Sequence, residues 1–211
     1  MDKKSELERM AEEVASCRKC SLYKTATNSV PGNGSSEAEV VFIGEAPGYW
    51  EDQKGIPFCG PAGKLLDELL ATIGLSRDKV FVANMIKHRP PENRDPMPDE
   101  MEACKDYLDR QLRIIKPKTI VTLGRFSMAK FLPYGKISND HGRGRKIEYN
   151  GESYLFIPMF HPAAALRAEN VAQKLREDFK KIPEEIKRFE KPIIQVVDEP
   201  VKPKEEQLTL V

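Results

Sequence analysis

The sequence predicts an α/β fold with helices packed around a central, mostly parallel sheet. Three observations predict it. Apolar runs of strand length recur at Val40–Ile43, Val80–Met85 and Thr119–Leu123. Between them lie longer segments with apolar residues at helical spacing, the alternation that builds parallel sheets. Each predicted strand then ends in a polar or glycine residue: Glu45, Asn84, Gly124 and, after a later strand, His161. In a parallel sheet those ends share one rim, where α/β proteins build ligand sites.

Taken in order, residues 3–15 form a short amphipathic helix leading to Cys17 and Cys20. A polar loop through Pro31-Gly32-Asn33-Gly34 feeds the first strand, which breaks at Gly44, Glu45 and Ala46-Pro47-Gly48. An acidic, aromatic loop follows. Leu65, Leu66, Leu69, Leu70 and Ile73 then mark one face of a helix over 63–73, which Gly74 stops. The second strand runs into the polar loop KHRPPENRDP. Pro98 starts the next helix with Asp99, Glu100 and Glu102 in its first turn, favourable against the helix dipole. Met101, Cys104, Leu108, Leu112 and Ile115 make its inward face. After the third strand come Gly124, a short helix to Leu132, and a basic stretch ending HGRGRK. Lys146–Tyr149 and Ser153–Met159, joined by Asn150-Gly151, read as a hairpin or edge pair. A last helix covers about 170–189, with a break expected at Pro183. Residues 191–211 are rich in Pro and charge and read as a flexible tail, which leaves 1–190 as one domain.

The chain has 211 residues, 40% of them hydrophobic and 32% charged, enough for one sizeable core. No apolar run approaches the roughly 20 residues of a membrane span. The charged, helical N-terminal segment does not resemble a signal sequence, so the cytosol is the expected compartment. Abundant Lys and Glu with few Gln suit a thermophile. Net charge is +1, so a nucleic-acid partner has to be argued from local patches rather than bulk charge.

A cytosolic setting disfavours disulfides, and Cys17-x-x-Cys20 reads better as a pair of metal or cluster ligands. Cys104 and His88 are candidates for the remaining places, with Cys59 as a competitor. Spacing alone fits either zinc or an iron–sulfur cluster. The strand-end groups make a second constellation. An acid, an amide and an imidazole on one rim, with Phe58 as a flat apolar face, fit a planar heterocycle.

Four blocks then carry a resemblance: GEAPG at 44–48, GIPFCGPAGKLLD at 55–67, VANMIKHRPPENRDPMPDE at 82–100 and HPAAALR at 161–167. Together and in this order they resemble the motif set of the family 4 uracil-DNA glycosylases, the iron–sulfur branch of that superfamily, over roughly residues 15–190. The resemblance implies a single three-layer αβα domain around a four-stranded, mostly parallel sheet. It implies an enzyme of base excision repair that flips uracil out of DNA and hydrolyses its glycosidic bond, leaving an abasic site. It further implies a prokaryotic, archaeal source and a monomer acting on uracil-containing DNA.

Residue by residue, Gly44, Glu45 and Ala46 match the positions that hold uracil and its attacking water. Glu45 takes the water-directing role, because Ala46 stands where the better-known branch has Asp. Phe58 matches the aromatic ring stacked on uracil, and Asn84 the amide that reads its edge. Glu51 matches the acid that excludes the thymine methyl. His161 matches the histidine that stabilises charge on uracil O2. Leu166 and Arg167 fall where the superfamily enters the base stack, and Arg143, Arg145 and Lys146 are candidate phosphate contacts. Cys17, Cys20, His88 and Cys104 match the ligands of a structural [4Fe–4S] cluster, with His88 where the family has Cys. Imidazole for thiolate removes a negative charge and is expected to raise the cluster potential. Cys59, where the family has Val, is expected to be a small buried hydrophobe. The 87–98 segment lacks the inserted basic loop and second His of a branch that bonds covalently to DNA, so no such chemistry is expected.

Rival readings are a cluster-bearing DNA-binding or redox module without glycosylase activity, a glycosylase for another damaged base, and a phosphate-binding α/β enzyme. The last lacks a P-loop or GxGxxG fingerprint. The end EEQLTLV is a weak candidate for sliding-clamp binding.

Overall fold

The structure is a computed structural model that describes residues 2–190. The expected tail and its clamp-binding peptide, 191–211, lie outside the described residues. Helix α1 (Lys3–Ala15) starts on the Asp2 side chain, which accepts from the Ser5 N–H at 2.8 Å. It leads through the cysteine knuckle to β1 (Asn33–Gly34) and β2 (Val40–Gly44). Helices α2 (Tyr49–Lys54) and α3 (Pro61–Thr72) precede β3 (Phe81–Asn84), and α4 (Pro98–Ile115) precedes β4 (Thr119–Leu123). Then come α5 (Arg125–Phe131), α6 (Ile137–Asp140), β5 (Arg145–Tyr149), β6 (Glu152–Met159), α7 (Pro162–Ala165) and α8 (Glu169–Glu190).

The six strands lie in the order β1-β3-β2-β4-β6-β5. The inner four, β3-β2-β4-β6, run parallel, and β1 and β5 add antiparallel edges. The expected four-stranded sheet is therefore its parallel centre. β1 escapes the sequence reading because two exposed residues carry no apolar pattern. The β5–β6 hairpin closes as expected on Asn150 and Gly151, at φ of 51° and 82°, the left-handed pair that a two-residue turn demands.

Alternation along the strands divides the core between two faces. Val40 and Phe42 of β2 pack with Leu66 and Leu70 of α3 and Leu175 and Phe179 of α8. Val41 and Ile43 point the other way, onto Leu108, Leu112 and Ile115 of α4. Three layers result. Helix α8 runs unbroken through Pro183, contrary to expectation. A mid-helix proline costs about 3 kcal/mol. The buried Ile182 and half-buried Ile186 and Phe189 continue the apolar stripe on the core, and that burial offsets the cost. Among the described residues no helix is long and apolar enough to cross a membrane.

From β2 the chain crosses to β3 on one side, then returns past β2 to β4 on the other. The order reverses at the carboxyl ends of β2 and β4, which opens a crevice there.

Candidate active site

A cleft of about 450 Å³ occupies that crevice. Its lining includes Glu45, Ala46, Glu51, Phe58, Asn84, His161 and Arg167, which gathers residues far apart in sequence. Parallel pairing sets Gly44 of β2 beside Asn84 of β3. The Met85 and Ile86 N–H groups donate to the Gly44 and Glu45 carbonyls at 3.0 and 3.2 Å, extending the register past the strand ends. Gly44 is glycine because nothing larger fits. A Cβ there would sit 2.7 Å from the Phe58 ring and closer still to Asn84 Oδ1.

Asn84 is buried, yet neither its Oδ1 nor its Nδ2 has a hydrogen-bond partner. An unpaired buried amide costs on the order of 1–3 kcal/mol per group, so a protein keeps one where a ligand will pair it. Oδ1 accepts and Nδ2 donates, a combination that matches a cyclic imide edge with one N–H and one carbonyl.

Phe58 supplies the apolar face. Its ring is buried, and its backbone sits at φ of 50°, a strained left-handed conformation for a bulky residue. Clamps on both sides hold it. Arg77 donates to the Phe58 carbonyl at 2.7 Å and pairs with Asp67. On the other side Glu51 accepts from the Cys59 and Gly60 N–H groups at 3.0 and 3.1 Å. The second oxygen of Glu51 accepts from Gly48 at 3.1 Å, so this carboxylate forms a fixed wall of the cleft. Gly63 lets α3 approach so closely that any Cβ would strike the Phe58 carbonyl.

His161 lies almost parallel to Phe58, with ring centroids 5.5 Å apart at 26°. Its Nδ1 accepts from the Ala163 N–H at 3.0 Å, capping α7, so in the neutral ring the proton sits on Nε2. Burial, with the nearby Arg167 charge, pushes its pKa down to about 4. The imidazole is therefore a neutral donor at physiological pH. Glu45 moves the other way. Burial, then the Asp95 charge, raises its pKa to about 7, while Arg125 pulls it down. Asp95 and Arg125 pair at 2.6 Å. Arg94, also on the cleft wall, is tied bidentately to the buried Glu100 at 2.8 and 2.6 Å.

Of the residues proposed to touch DNA, Arg167 lines the cleft and Leu166 stands exposed after α7. Arg143 and Arg145 do not line it. Arg145 pairs with Asp140 at 2.7 Å, and Lys146 lies 3.8 Å from Glu148. Sequence reading missed Arg77, Asp95, Arg125 and Lys87. Lys87 is fully buried and donates to the Asn84 carbonyl and to Gln111 Oε1, each at 2.8 Å. A lysine directly before a proposed ligand and close after a strand end is a weak signal; only the fold reveals its partners.

None of the four cysteines is among the residues that line the cleft. Cys20 and Cys104 share an apolar cluster with Leu22, Ile86 and Met101, and Cys17 packs in a neighbouring one with Tyr107. The Cys104 thiol takes a hydrogen bond from the backbone of Lys87, the residue before His88, and feels the charges of Cys20 and Cys17. Burial raises the Cys20 and Cys104 pKa values and lowers that of His88. Three thiols and a neutral imidazole in an apolar setting fit a soft metal cluster. Among the described residues no three such groups converge on a single metal ion. A lone zinc would need its sulfurs within about 4 Å of one another, whereas a cluster spreads them further apart. Cys59 belongs to neither apolar cluster; between the lining residues Phe58 and Gly60, it is half-buried rather than buried.

Comparison with known proteins bears on the whole arrangement. The family model of the Uracil DNA glycosylase superfamily matches residues 31–187. A type-4 uracil-DNA glycosylase of Archaeoglobus fulgidus is 50% identical over 184 residues, covering 84% of this chain and 92% of its own. One from Sulfurisphaera tokodaii is 49% identical, with 84% of each chain covered. One from Thermotoga maritima is 41% identical over 86% of this chain and 95% of its own. The residues that converge on the cleft fall within the span 31–187 that the family model matches, and the chain belongs to the type-4 branch of the uracil-DNA glycosylase superfamily.

Proposed function

We propose that the protein releases uracil from DNA by hydrolysing its N-glycosidic bond, leaving an abasic site for repair. The observation that carries this reading is the buried, unpaired Asn84 amide, flanked by a flat ring and a neutral imidazole donor. Extracting the base costs a few kcal/mol of stacking and pairing. Stacking on Phe58 and two hydrogen bonds to Asn84 offset that cost: Oδ1 accepts from N3–H, and Nδ2 donates to O4. The Glu51 wall stands against C5 and leaves no room for a methyl group.

As the C1′–N1 bond breaks, its electron pair leaves with uracil and the sugar becomes an oxocarbenium ion. The Nε2–H of His161 donates to O2, where the negative charge gathers; one such preorganised donor is commonly worth about 3 kcal/mol. Glu45, ionised, orients a water toward C1′ and takes its proton as the new C–O bond forms. A carboxylate titrating near neutrality suits that task. Arg167 offers a phosphate contact beside the cleft, with Arg143 and Arg145 as outer contacts and the exposed Leu166 as the side chain that enters the base stack. No nucleophilic side chain is needed, so the enzyme acts as a monofunctional hydrolase.

Cys17, Cys20, His88 and Cys104 would hold a [4Fe–4S] cluster, which when bound supplies a cross-link between the N-terminal knuckle, α4 and the loop after β3. Equal iron and acid-labile sulfide in purified protein supports this; stoichiometric zinc without iron refutes it. For the activity, a uracil-containing oligonucleotide should yield free uracil and an alkali-labile site. An intact strand at high enzyme excess would refute the reading. The rival of a non-catalytic redox or DNA-binding module draws no support from the cleft.

A further inference from the structure

Tyr49 and Trp50 form the first turn of α2 at the mouth of the cleft, and each is half exposed at 50%. Large aromatic rings in contact with water need a reason. These two are also fixed in place. They meet edge to face at 5.3 Å and 79°. The indole rests on Gly60, where a Cβ would lie 2.9 Å from its Cδ1. The Arg89 guanidinium sits 5.3 Å over the Tyr49 ring. One side of the pair is seated on protein and the other is open. Arg89 and Arg167 border the same region, and among the described residues neither pairs with a carboxylate.

Resting on the uracil-excision reading, we infer that Tyr49 and Trp50 are a stacking platform for a base next to the uracil on the same strand. The occupant follows from the surroundings. A flipped uracil in the cleft leaves its neighbour unstacked at the rim, and the rim offers rigid aromatic faces with cations for the adjoining phosphates. Aromatic platforms beside basic side chains are how proteins hold single-stranded nucleic acid without reading its sequence. The platform would favour substrates whose neighbouring base is free to leave its own stack, single strands above all.

Trp50 is the one tryptophan of the chain, so the protein carries its own probe. The experiment titrates full-length protein with single-stranded oligonucleotides bearing a non-hydrolysable 2′-fluoro-deoxyuridine. Either both neighbours are normal, or one of them is replaced by a tetrahydrofuran abasic unit. Indole fluorescence should be quenched by the normal strand, and the quench should vanish when the neighbour on one side is abasic. Binding should weaken about tenfold in Trp50→Leu and Tyr49→Ala, with Trp50→Phe largely restoring it. Wild type and Trp50→Leu should bind the abasic-neighbour strand equally, the signature of direct coupling between ring and base. A quench that survives abasic units on both sides, or one reproduced by free uracil, would overturn the inference. So would equal weakening of Trp50→Leu on every strand. Uracil release by the wild type is scored separately, which distinguishes failure of the platform from failure of the activity.

Discussion

Two buried neighbourhoods lie at the two ends of one short loop, and they treat polar groups in opposite ways. Asn84 ends β3 in the cleft; three residues later the backbone of Lys87 hydrogen-bonds the Cys104 thiol, and the buried His88 follows. In the cleft, groups are left wanting: the Asn84 amide is unpaired, Phe58 is strained, and Glu45 is held at a pKa of about 7. On the cysteine side, thiols are packed among Leu22, Ile86, Met10 and Val14. The first arrangement stores unmet interactions for a passing ligand, and the second is the proposed seat of a resident cross-link. Lys87 stands between, its ammonium on the Asn84 carbonyl and its backbone on Cys104. On the proposed reading, the cleft does the chemistry and the cysteine side holds the loop that presents it.

Substitutions should separate the two. The largest effect belongs to the cleft: His161→Ala, or Asn84→Ala, should slow single-turnover uracil release by about 100- to 1000-fold. The melting temperature of Asn84→Ala should stay close to wild type, since its amide is unpaired in the free protein, while His161→Ala should lose only the few degrees that go with the α7 cap. A fall in stability that matched the fall in rate would erase the distinction. Cys104→Ala should do the reverse. It should lower the melting temperature by about 5 °C or more through the lost cross-link and cavity, and release iron. Its rate per folded molecule should fall by less than about threefold; a hundredfold loss at full folding would move the cysteine side into the chemistry.

A smaller effect concerns protons. With Glu45 at a pKa of about 7, kcat/KM should rise about tenfold between pH 6 and pH 8. His161, at about 4, stays neutral across that range and adds no second limb. Asp95→Asn removes a repelling charge and should move the rise to lower pH; Arg125→Gln should move it higher. The same group has a stability sign. Its folded pKa lies above its ordinary value, so the folded protein binds the extra proton, and stability declines as pH climbs from about 4.5 to about 7. Glu45→Gln should flatten that slope. A profile insensitive to Asp95 would show that Glu45 does not set it.

Much of this was legible in the chain. Strand-length apolar runs with Glu45, Asn84 and His161 at their ends told both the sheet and the rim, because a parallel sheet aligns all its carboxyl ends. Phe58 reads as a flat apolar face and Glu51 follows from the resemblance, although nothing in the sequence tells that Glu51 clamps three backbone amides. What stayed hidden depends on contacts between distant segments. Arg77 reaches back 19 residues to hold Phe58, and Arg125 reaches 30 to pair with Asp95. Nothing local to Lys87 tells that it is buried: its partner Gln111, 2.8 Å away, lies 24 residues on in α4. Pro183 misled for a related reason: local propensity predicts a break, and packing against the core overrules it.

The central claim is that Asn84 waits for the imide edge of uracil, and its side-chain amide can be watched directly. In a spectrum of ¹⁵N-labelled protein titrated with free uracil, the Asn84 Nδ2 resonances should move downfield and saturate, while cytosine leaves them in place. Resonances that ignore uracil, or respond equally to cytosine, would contradict the account.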